Sequence, residues 1–343
     1  MDALRHEERP FVVFTSDVAY YPYYMKNVLI TGGMGFIGRA LSRKLLATTD
    51  YHLTIVDNLS SCRLDPTITE NKRVTFIDAD LSNWNPQNEH YDQIYHLAGP
   101  VGPLRVLEVQ GRILPIIISQ LEKISRLAIE MNAKLMFIST SEVYGAHAKE
   151  KISENVDPIV AANVTPRLEY GIAKLAGEIM LKNLSAATTL RYNCVRPFNI
   201  IGPGQNDKSG FVIPRFVRLA LHNEPITVYG SGNQIRTFTH ISDFIDALYT
   251  VMESDISGEV FNIGNPEGTL TVLELATRIK NALKSSSEII FVDPEKLHGR
   301  PFHDAWDKIP DISKITGATG WTPQWSLEKV MQELSELRDR YLV

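Results

Sequence analysis

The stretch LITGGMGFIGRAL, residues 29–41, joins a short apolar run to a glycine-rich turn and the start of an amphipathic segment. Its glycines satisfy two spacings at once, G-x-G-x-x-G from Gly33 and G-x-x-G-x-x-G from Gly32, and both include Gly35 and Gly38. Glycines at these positions permit a tight turn and the close approach of a pyrophosphate to a helix N-terminus. The stretch therefore predicts a strand, a dinucleotide-binding turn and a helix.

Acidic residues follow the next two predicted strands. HLTIVD, residues 52–57, ends in Asp57. A carboxylate at that place can bond the adenosine ribose hydroxyls and repel a 2′-phosphate, which favours NAD over NADP as the cofactor. Asp80 and Leu81 follow the third strand and are expected beside the adenine, although an aspartate there also suits a helix cap.

Short apolar runs and amphipathic segments alternate along the next part of the chain. The runs QIYHLAG and KLMFIST, which begin at Gln93 and Lys134, end in polar residues, and long amphipathic helices are predicted at residues 113–132 and 169–184. This alternation predicts an α/β fold with a doubly wound parallel sheet covered on both faces. Ligands bind such sheets at the carboxyl ends of the strands.

Proline- and glycine-rich loops dominate after about residue 200. We expect a dinucleotide-binding domain over residues 25–200 and a smaller, mainly substrate-binding α/β domain over residues 201–343. A later strand and helix near residues 236–252 are expected to return to the first domain. Residues 1–24 are expected to form an N-terminal tail, and their apolar core, FVVF, is too short for a signal peptide, so a cytoplasmic protein is expected.

The composition argues against several classes of protein. Apolar residues make up 44% of the 343 residues, which is enough for a sizeable core, and apolar runs such as ILPIII fall far short of the ~20 residues of a membrane span. A net charge of −5 gives no sign of binding to nucleic acid or to a membrane surface. Cys62 and Cys194 are the only cysteines, so neither a disulfide framework nor a cysteine-based metal site is expected.

Tyr170 and Lys174 lie four residues apart on the second long helix and therefore share one face of it. A lysine ammonium near a phenol stabilises the phenolate and lowers the tyrosine pKa from ~10, which suits a general base. This spacing is common on amphipathic helices. The prediction therefore depends also on the glycine turn and on the hydroxyls that end the strand upstream.

These motifs occur in the order found in the extended short-chain dehydrogenase/reductases. The chain resembles that family in TGGMGFIG, Asp57, HLAG, STSEVYG, Tyr170 with Lys174, and RPFNIIGPG, and the similarity continues through VYGSGNQIRTFTHISDFIDAL, GEVFNIGNPEGT and PDISKITGATGWTP. Essentially all of residues 26–330 is covered. The subgroup that it resembles modifies nucleotide sugars and comprises 4-epimerases, 4,6-dehydratases and UDP-glucuronate decarboxylases.

The resemblance implies a role for each matching residue. Tyr170 would take the proton of the sugar 4-hydroxyl while C4 passes hydride to NAD+, which is recycled when the hydride returns to the 4-keto sugar. Thr140 would bond the same oxygen, Lys174 would hold the nicotinamide ribose, and Pro197 and Phe198 would flank the nicotinamide. Asn199 is expected near the substrate diphosphate, and Arg236 is expected to pair with a phosphate.

The expected site residues fall into three groups. The catalytic group is Thr140, Ser141, Glu142, Tyr170 and Lys174. The cofactor-binding group is Gly32, Gly35, Phe36, Ile37, Gly38, Asp57, Asn58, Asp80, Leu81, Leu97, Ala98, Lys174 and Pro197. The group that would bind the UDP-linked substrate is Thr140, Asn199, Arg215, Arg236 and Lys308.

Glu142, in STSEVYG, decides which reaction the resemblance implies. Simple 4-epimerases carry small residues there, whereas Thr-Ser-Glu resembles UDP-glucuronate decarboxylases and also GDP-mannose dehydratases. Glu142 follows Thr140 by two residues, which places both side chains on one face if the strand continues, so Glu142 could manage a proton at C5 of a 4-keto sugar. The other interpretation is a structural acceptor for backbone N–H groups, because buried carboxylates need partners whatever their function.

Two positions depart from the decarboxylase pattern. Lys308 stands where an arginine precedes the late KPDI-like motif, and it keeps the positive charge but loses bidentate geometry. Phe211 stands where another arginine is expected. The leading hypothesis is a UDP-glucuronate decarboxylase, followed by a UDP-sugar 4-epimerase acting on a hexose or a uronate, and then by a 4,6-dehydratase. A non-catalytic NAD-binding sensor is a further alternative, although such proteins commonly lose the tyrosine or the lysine.

Two expectations concern other partners. No metal is expected, because no step of this chemistry needs one, and His298, His303 and Asp304 are interpreted as part of a solvated loop. A homodimer is expected, because the two long helices carry more apolar surface than one sheet face needs. In the resembling family, these helices pair with their copies as a four-helix bundle.

Overall fold

The computed structural model describes residues 25–86, 89–145, 151–162, 164–206, 210–293 and 307–337. The strands are β1 (Asn27–Thr31), β2 (His52–Asp57), β3 (Val74–Asp78), β4 (Gln93–His96), β5 (Lys134–Ile138), β6 (Lys151–Ile152), β7 (Arg191–Pro197), β8 (Ile200–Ile201), β9 (Ile226–Tyr229), β10 (Ile235–Thr237), β11 (Thr239–His240), β12 (Glu259–Ile263), β13 (Thr269–Thr271), β14 (Ile289–Val292) and β15 (Ile309–Pro310). The helices are α1 (Phe36–Thr48), α2 (Pro66–Thr69), α3 (Pro103–Glu108), α4 (Ile113–Glu130), α5 (Pro166–Ala187), α6 (Val212–Leu221), α7 (Ile241–Glu253), α8 (Val272–Ala282), α9 (Ser313–Thr319) and α10 (Leu327–Glu336).

Seven strands form one sheet in the order β3-β2-β1-β4-β5-β7-β12, and every neighbouring pair in it is parallel. The order reverses between β1 and β4, where a crevice opens at the carboxyl ends of such strands. Because all seven strands run the same way, the residues after Thr31, Asp57, His96, Ile138 and Pro197 lie along one edge. The doubly wound α/β fold expected from the sequence is confirmed.

The two faces of the sheet are buried by different helices. Val28 and Ile30 of β1 belong to the apolar cluster that includes residues of α1 and α7, whereas Leu29 between them joins the cluster formed with α4 and α5. Alternating side chains of a strand point to opposite faces, so an uninterrupted apolar run is needed to fill both layers. This explains the uninterrupted apolar run from Val28 to Ile30 in β1.

The C-terminal part has a core of its own, built from α6, α8, α10 and β9. The chain returns to the large sheet later than expected. The strand that joins it is β12, beside β7, whereas β10 pairs with β13 and β11 pairs with β8. The helix before it, α7, packs against the first core, because a parallel strand needs a crossover of this kind to reach its neighbour. The division into a cofactor domain and a substrate domain stays a prediction.

Some of the expectations concern residues that lie outside the described ranges. Residues 1–24 and the loop containing His298, His303 and Asp304 lie outside them. Within them, no helix combines the length and the apolar character that crossing a bilayer requires. The cytoplasmic location stays a prediction.

Candidate active site

The glycine turn connects β1 to α1 at the point where the strand order reverses. Gly32 has a φ of +71°, and a Cβ atom on it would lie 2.7 Å from the backbone nitrogen of Ala98. A Cβ atom on Gly38 would lie 2.5 Å from the Cα atom of Gly33. Side chains do not fit at such distances, so glycine is needed both for the turn and for the packing of α1 against it.

The N-terminus of α1 leaves this turn with its backbone N–H groups uncapped by side chains. Gly35 is the N-cap residue, no side chain accepts a hydrogen bond there, and the first turn, which begins with Phe36 and Ile37, carries no acidic residue. The positive end of a helix dipole and free N–H groups attract an anion. This end of α1 is therefore suited to a pyrophosphate.

Asp57, the last residue of β2, is held against the same turn. Its Oδ2 accepts a hydrogen bond from the backbone of Met34 over 2.9 Å, and its Oδ1 accepts one from the backbone of Leu59 over 2.8 Å. Oδ1 also accepts a hydrogen bond from the thiol of Cys62 over 3.7 Å, whereas Oδ2 keeps a second lone pair that can accept a ribose hydroxyl. The adjacent Asn58 donates to Asp80 over 2.9 Å and so joins the ends of β2 and β3 on this edge.

Asp80 also stabilises its own loop, although residues 81–83 form a turn and not the helix that a cap would begin. It accepts a hydrogen bond from the backbone of Ser82 over 2.9 Å, and the hydrogen bonds from Ser82 hold the pKa of this carboxyl below its usual value. The neighbouring Leu81 is buried. Both residues follow β3 at the carboxyl edge of the sheet, and their place beside the adenine stays a prediction.

Tyr170 and Lys174 lie one turn apart on α5, close to the end of β5. Tyr170 is hydrogen-bonded to Thr140. The Nζ of Lys174 donates to the carbonyl oxygen of Ile138 over 2.8 Å and lies 6.0 Å from the centre of the Tyr170 ring. The hydroxyl, the phenol and the ammonium therefore converge at the carboxyl edge of the sheet.

The pKa of Tyr170 differs from the expectation. Burial raises the pKa of Tyr170 above its usual value, and the hydrogen bond to Thr140 opposes this rise, whereas the carboxylate of Glu142 adds to it. The lowering expected from Lys174 is not found, because its ammonium bonds to Ile138 instead. Burial also lowers the pKa of Lys174 to about 8.

Glu142 is held by two cations from distant parts of the chain. Arg167 of α5 donates from Nε to Oε2 and from Nη2 to Oε1, both over 2.7 Å, and the Nζ of Lys308 lies 3.3 Å from Oε2. Burial disfavours the charge of this carboxyl, but Arg167 and Lys308 outweigh it and hold its pKa well below the usual range. Glu142 is therefore an ionised carboxylate, and its side chain still keeps 21% of its surface exposed.

The local backbone around Glu142 is not the expected strand. β5 ends at Ile138, and Ser141–Tyr144 form a single 3₁₀ turn with Thr140 as its N-cap. The Thr140 hydroxyl accepts a hydrogen bond from the backbone of Glu142 over 3.2 Å, which favours the turn over an extended chain. The turn buries Ser141 and brings Thr140 and Glu142 to one site by a different geometry.

A third cation lies near this pair. Arg236 is buried in β10, and its Nη1 donates to the carbonyl oxygen of Ile235 over 2.7 Å. Burial lowers the pKa of Lys308, Glu142 raises it, and Arg167 and Arg236 lower it further. We refer to Arg167, Arg236 and Lys308 as the basic cluster. With one carboxylate among three cations, the site attracts anions.

Two other expected substrate residues lie on the side of the C-terminal part. Asn199 has a φ of +37°, a strained value, and its Nδ2 donates to the carbonyl oxygen of Thr237 over 2.9 Å, beside Arg236. Arg215 lies instead against β9, with its guanidinium carbon 4.0 Å from the centre of the Tyr229 ring. The roles of these residues in substrate binding stay predictions.

The profile of the NAD dependent epimerase/dehydratase family matches residues 28–264. The chain belongs to this family. Among relatives of this epimerase/dehydratase, a UDP-N-acetyl-alpha-D-glucosaminuronate decarboxylase from Bacillus cytotoxicus is 32% identical, over 90% of this chain and 96% of its own. UDP-glucuronic acid decarboxylase 1 from Danio rerio is 33% identical, and the match covers 92% of this chain and 73% of the length of that protein.

Solved structures of epimerases share the fold of this family member. A UDP-glucose 4-epimerase from Thermotoga maritima has a TM-score of 0.77 at 26% identity and covers 90% of this chain and 97% of that one. A UDP-glucuronic acid 4-epimerase from Bacillus cereus, solved with NAD, has a TM-score of 0.75 at 26% identity. The match covers 91% of this chain and 98% of that one.

NAD is the cofactor of this epimerase/dehydratase, and the described residues fit it. The glycine turn and the uncapped N-terminus of α1 would hold the pyrophosphate, and Asp57 would hold the adenosine ribose. Leu97, Ala98 and Pro197 lie on the same carboxyl edge of the sheet, where Lys174 points its ammonium. The position of each group of NAD on these residues stays a prediction.

Two features of the site were missed from the sequence. Arg167 was not named, although PRLEY places it three residues before Tyr170 and so on the same face of α5. A buried ion pair between Arg196 and Glu178, with nitrogen–oxygen distances of 2.6 and 3.0 Å, was also missed. Glu178 follows Lys174 by one helical turn, and an acid on that buried face was the available signal.

This ion pair belongs to a buried hydrogen-bond network under the catalytic groups. Ser139 donates to Glu178, and Arg196 donates from Nη1 to the hydroxyl of Tyr144 over 2.8 Å. Tyr144 donates in turn to Asn262 of β12 over 2.7 Å. The network therefore links α5, the 3₁₀ turn and two sheet strands, and it fixes Tyr170 relative to Thr140.

Proposed function

We propose that the protein is an NAD-dependent decarboxylase of a UDP-linked uronic acid, with UDP-glucuronate as the first candidate. The observation that carries this proposal is the carboxylate of Glu142, held between Arg167 and Lys308 two residues after Thr140. A reaction confined to C4 needs no such group. The two relatives named above, both more than 30% identical, are named as decarboxylases of UDP-linked uronates.

The first half of the proposed reaction takes place at C4. When bound, NAD supplies the hydride acceptor for this step and the hydride donor for its reversal. Tyr170 takes the proton of the 4-hydroxyl, and Thr140 holds the same oxygen through the hydroxyl that already bonds Tyr170. Burial raises the pKa of Tyr170, and the hydrogen bond with Thr140 is the interaction that favours the phenolate.

The second half takes place at C5 and C6. A 4-keto uronate is a β-keto acid, so the C5–C6 bond breaks as carbon dioxide leaves and its electron pair enters the C4 carbonyl as an enolate. A proton must then be added at C5. Since Glu142 is ionised, it has no proton of its own to give, and it instead orients a water molecule that protonates C5, and the hydroxide left behind takes a proton from bulk solvent. The basic cluster offsets the negative charge of the substrate.

A panel of nucleotide sugars tests the proposed function. Purified protein is incubated with UDP-glucuronate, its 2-acetamido analogue, UDP-glucose and UDP-N-acetylglucosamine, and the products are separated and weighed by mass spectrometry. Release of carbon dioxide from a uronate is the expected result. Loss of water from any sugar, or unchanged mass with a new retention time, would contradict decarboxylation and indicate dehydration or epimerisation.

A UDP-sugar 4-epimerase is the second candidate. Thr140, Tyr170 and Lys174 alone provide what oxidation and reduction at C4 require, and both solved structures compared above are named as 4-epimerases. The panel separates the two candidates, because epimerisation leaves the mass of the sugar unchanged.

We also propose a homodimer formed through α4 and α5. These helices pack against each other on one face of the sheet, yet Leu114 of α4 keeps 39% of its surface exposed and Ile179 of α5 keeps 54%. Apolar side chains on an outer helical face lose contact with water when a second copy covers them. The proposal is supported by this exposure and by the resemblance described above.

A further inference from the structure

Arg167 makes the most directional contact with Glu142, and in the proposed reaction it contributes only its charge, as a member of the basic cluster. Both of its bonds to Glu142 are 2.7 Å long, and they reach both carboxylate oxygens, which fixes the plane of the carboxylate as well as its position. Lys308 approaches one oxygen only, as a point charge 3.3 Å away. The orientation of Glu142 therefore depends chiefly on Arg167.

The same helical turn carries Arg167 and the catalytic tyrosine. Tyr170 follows Arg167 by three residues on α5, so the two side chains are neighbours on one face. A Cβ atom on Gly171 would lie 3.1 Å from the carbonyl oxygen of Glu142, so the 3₁₀ turn packs closely against this part of the helix. Arg167 thus ties the carboxylate to the helix that positions the base.

We propose that Arg167 is a positioning residue that holds Glu142 as an oriented carboxylate and so controls the step at C5, without taking part in the oxidation at C4. This inference rests on the proposed decarboxylation. The groups that face Glu142 are Arg167 from α5, Lys308 from the segment before β15, and Tyr170, with Arg236 acting on Lys308. Of these groups, Arg167 alone donates hydrogen bonds to both carboxylate oxygens of Glu142.

A kinetic double-mutant cycle tests the inference. Arg167→Met, Glu142→Gln and the double variant are each mixed with NAD+ and the UDP-uronate that the wild type accepts, and reduced cofactor and the decarboxylated UDP-sugar protonated at C5 are followed separately. We expect Arg167→Met to form reduced cofactor while formation of the decarboxylated UDP-sugar protonated at C5 falls by about 10²-fold, a typical loss for a misplaced proton-transfer group. The double variant should be no slower than Glu142→Gln, because both changes remove the same oriented carboxylate.

Two further variants sharpen this cycle. Arg167→Lys keeps the positive charge but loses the bidentate hydrogen bonds of the guanidinium. It should therefore recover only part of the rate that is lost in Arg167→Met. Arg126→Met removes an arginine from an exposed ion pair with Glu122 on α4, and should behave as the wild type. Losses that add in the double variant, or an equal loss of reduced cofactor and of the C5-protonated UDP-sugar in Arg167→Met, would overturn the inference.

Unfolding measured against pH provides a readout that needs no substrate. With Arg167 present, the carboxyl pKa of Glu142 lies below the unfolded value of ~4.3, so Glu142→Gln should change the Tm equally at all pH values from about 5 to about 8. Without Arg167, only Lys308 opposes burial, and we expect the folded pKa to rise above the unfolded one. The stability that Glu142 contributes is then lost as the pH rises through the raised value.

The expected result is therefore a Tm difference between Arg167→Met and the double variant that changes between about pH 5 and about pH 8. Lys308 and Arg236 are present in all four proteins, but Glu142 raises the pKa of Lys308 and Arg167 lowers it, so a parallel series in a Lys308→Met background separates the titration of Lys308 from that of Glu142. A difference that is independent of pH in both backgrounds would refute the inference. A wild type that releases no carbon dioxide from any uronate would overturn the proposed function instead, and the unfolding cycle would still decide whether Arg167 governs the charge of Glu142.

Discussion

The ammonium of Lys174 donates a hydrogen bond to the carbonyl oxygen of Ile138, the last residue of β5, over 2.8 Å. This bond ties the middle of α5 to the carboxyl end of a central strand. It therefore holds Tyr170, one turn earlier on the helix, beside Thr140, two residues beyond the strand. The bond also keeps a charged group in a buried place, and burial lowers the pKa of Lys174 to about 8.

The lowered pKa of Lys174 predicts a dependence of stability on pH. Between about 8 and the unfolded value of ~10.4, the unfolded chain binds more protons than the folded one, so the wild type should gain stability relative to Lys174→Met as the pH rises through this window. Thermal unfolding of both proteins from about pH 7 to about pH 10 measures the effect. A constant Tm difference would contradict it.

The glycine turn predicts a contrast between two alanine substitutions. Gly38→Ala places a Cβ atom 2.5 Å from the Cα atom of Gly33, and we expect it to destabilise the fold by about 1–3 kcal/mol and to weaken NAD binding. Gly317 lies in α9, and an added Cβ atom meets no described atom within 4 Å, so Gly317→Ala should be neutral or stabilising by up to about 1 kcal/mol. Chemical denaturation and cofactor titration check both. Equal losses of stability and of NAD affinity in the two variants would count against the close packing of the glycine turn at Gly38.

Asp57 predicts a change in cofactor preference. Asp57→Asn keeps a side chain of the same shape, but it loses the charge that favours ribose hydroxyls and repels a 2′-phosphate. We expect NAD affinity to fall by about 1.5–3 kcal/mol, which is roughly 10- to 150-fold, and the discrimination against NADP to shrink. Calorimetric titration with both cofactors measures this. Unchanged affinity for both would remove Asp57 from the site.

Glu142 and Tyr170 should fail at different stages of one turnover. Glu142→Gln should still bind substrate and form reduced cofactor, seen by its absorbance, while product formation falls by about 10²- to 10⁴-fold. Tyr170→Phe should prevent the absorbance change from the start, because no base accepts the 4-hydroxyl proton. If Glu142→Gln turned over at the wild-type rate, the carboxylate would be structural and 4-epimerisation the better interpretation.

The outer face of α4 and α5 predicts the oligomeric state. A charge at the proposed interface, as in Ile179→Glu, should convert a dimer to a monomer in light scattering at micromolar concentration. Val164→Glu is the matched control, because Val164 is an exposed apolar residue that precedes α5. A monomeric mass for the wild type would refute the proposal, and dissociation by the control alone would place the interface elsewhere.

The sequence by itself determined the parallel sheet, the glycine turn with Asp57, and the placement of Tyr170 and Lys174 on one helical face. Each of these depends on periodicity or spacing over a few residues, which a chain displays before it folds. The family resemblance added the order of the motifs and the nature of the substrate class. It also directed attention to Glu142, whose role was left between a group acting on C5 and a structural acceptor.

Only the tertiary structure decided which charges meet. Arg167 and Lys308 come from separate segments, and they reach Glu142 because α5 and the segment before β15 converge at the carboxyl edge of the sheet. The return of β12 to the sheet was likewise misplaced from the sequence, since strand pairing depends on contacts across the whole chain. The pKa of a buried group is the sum of burial and of all neighbouring charges, so the raised value of Tyr170 and the lowered value of Glu142 follow from the fold and not from the order of residues.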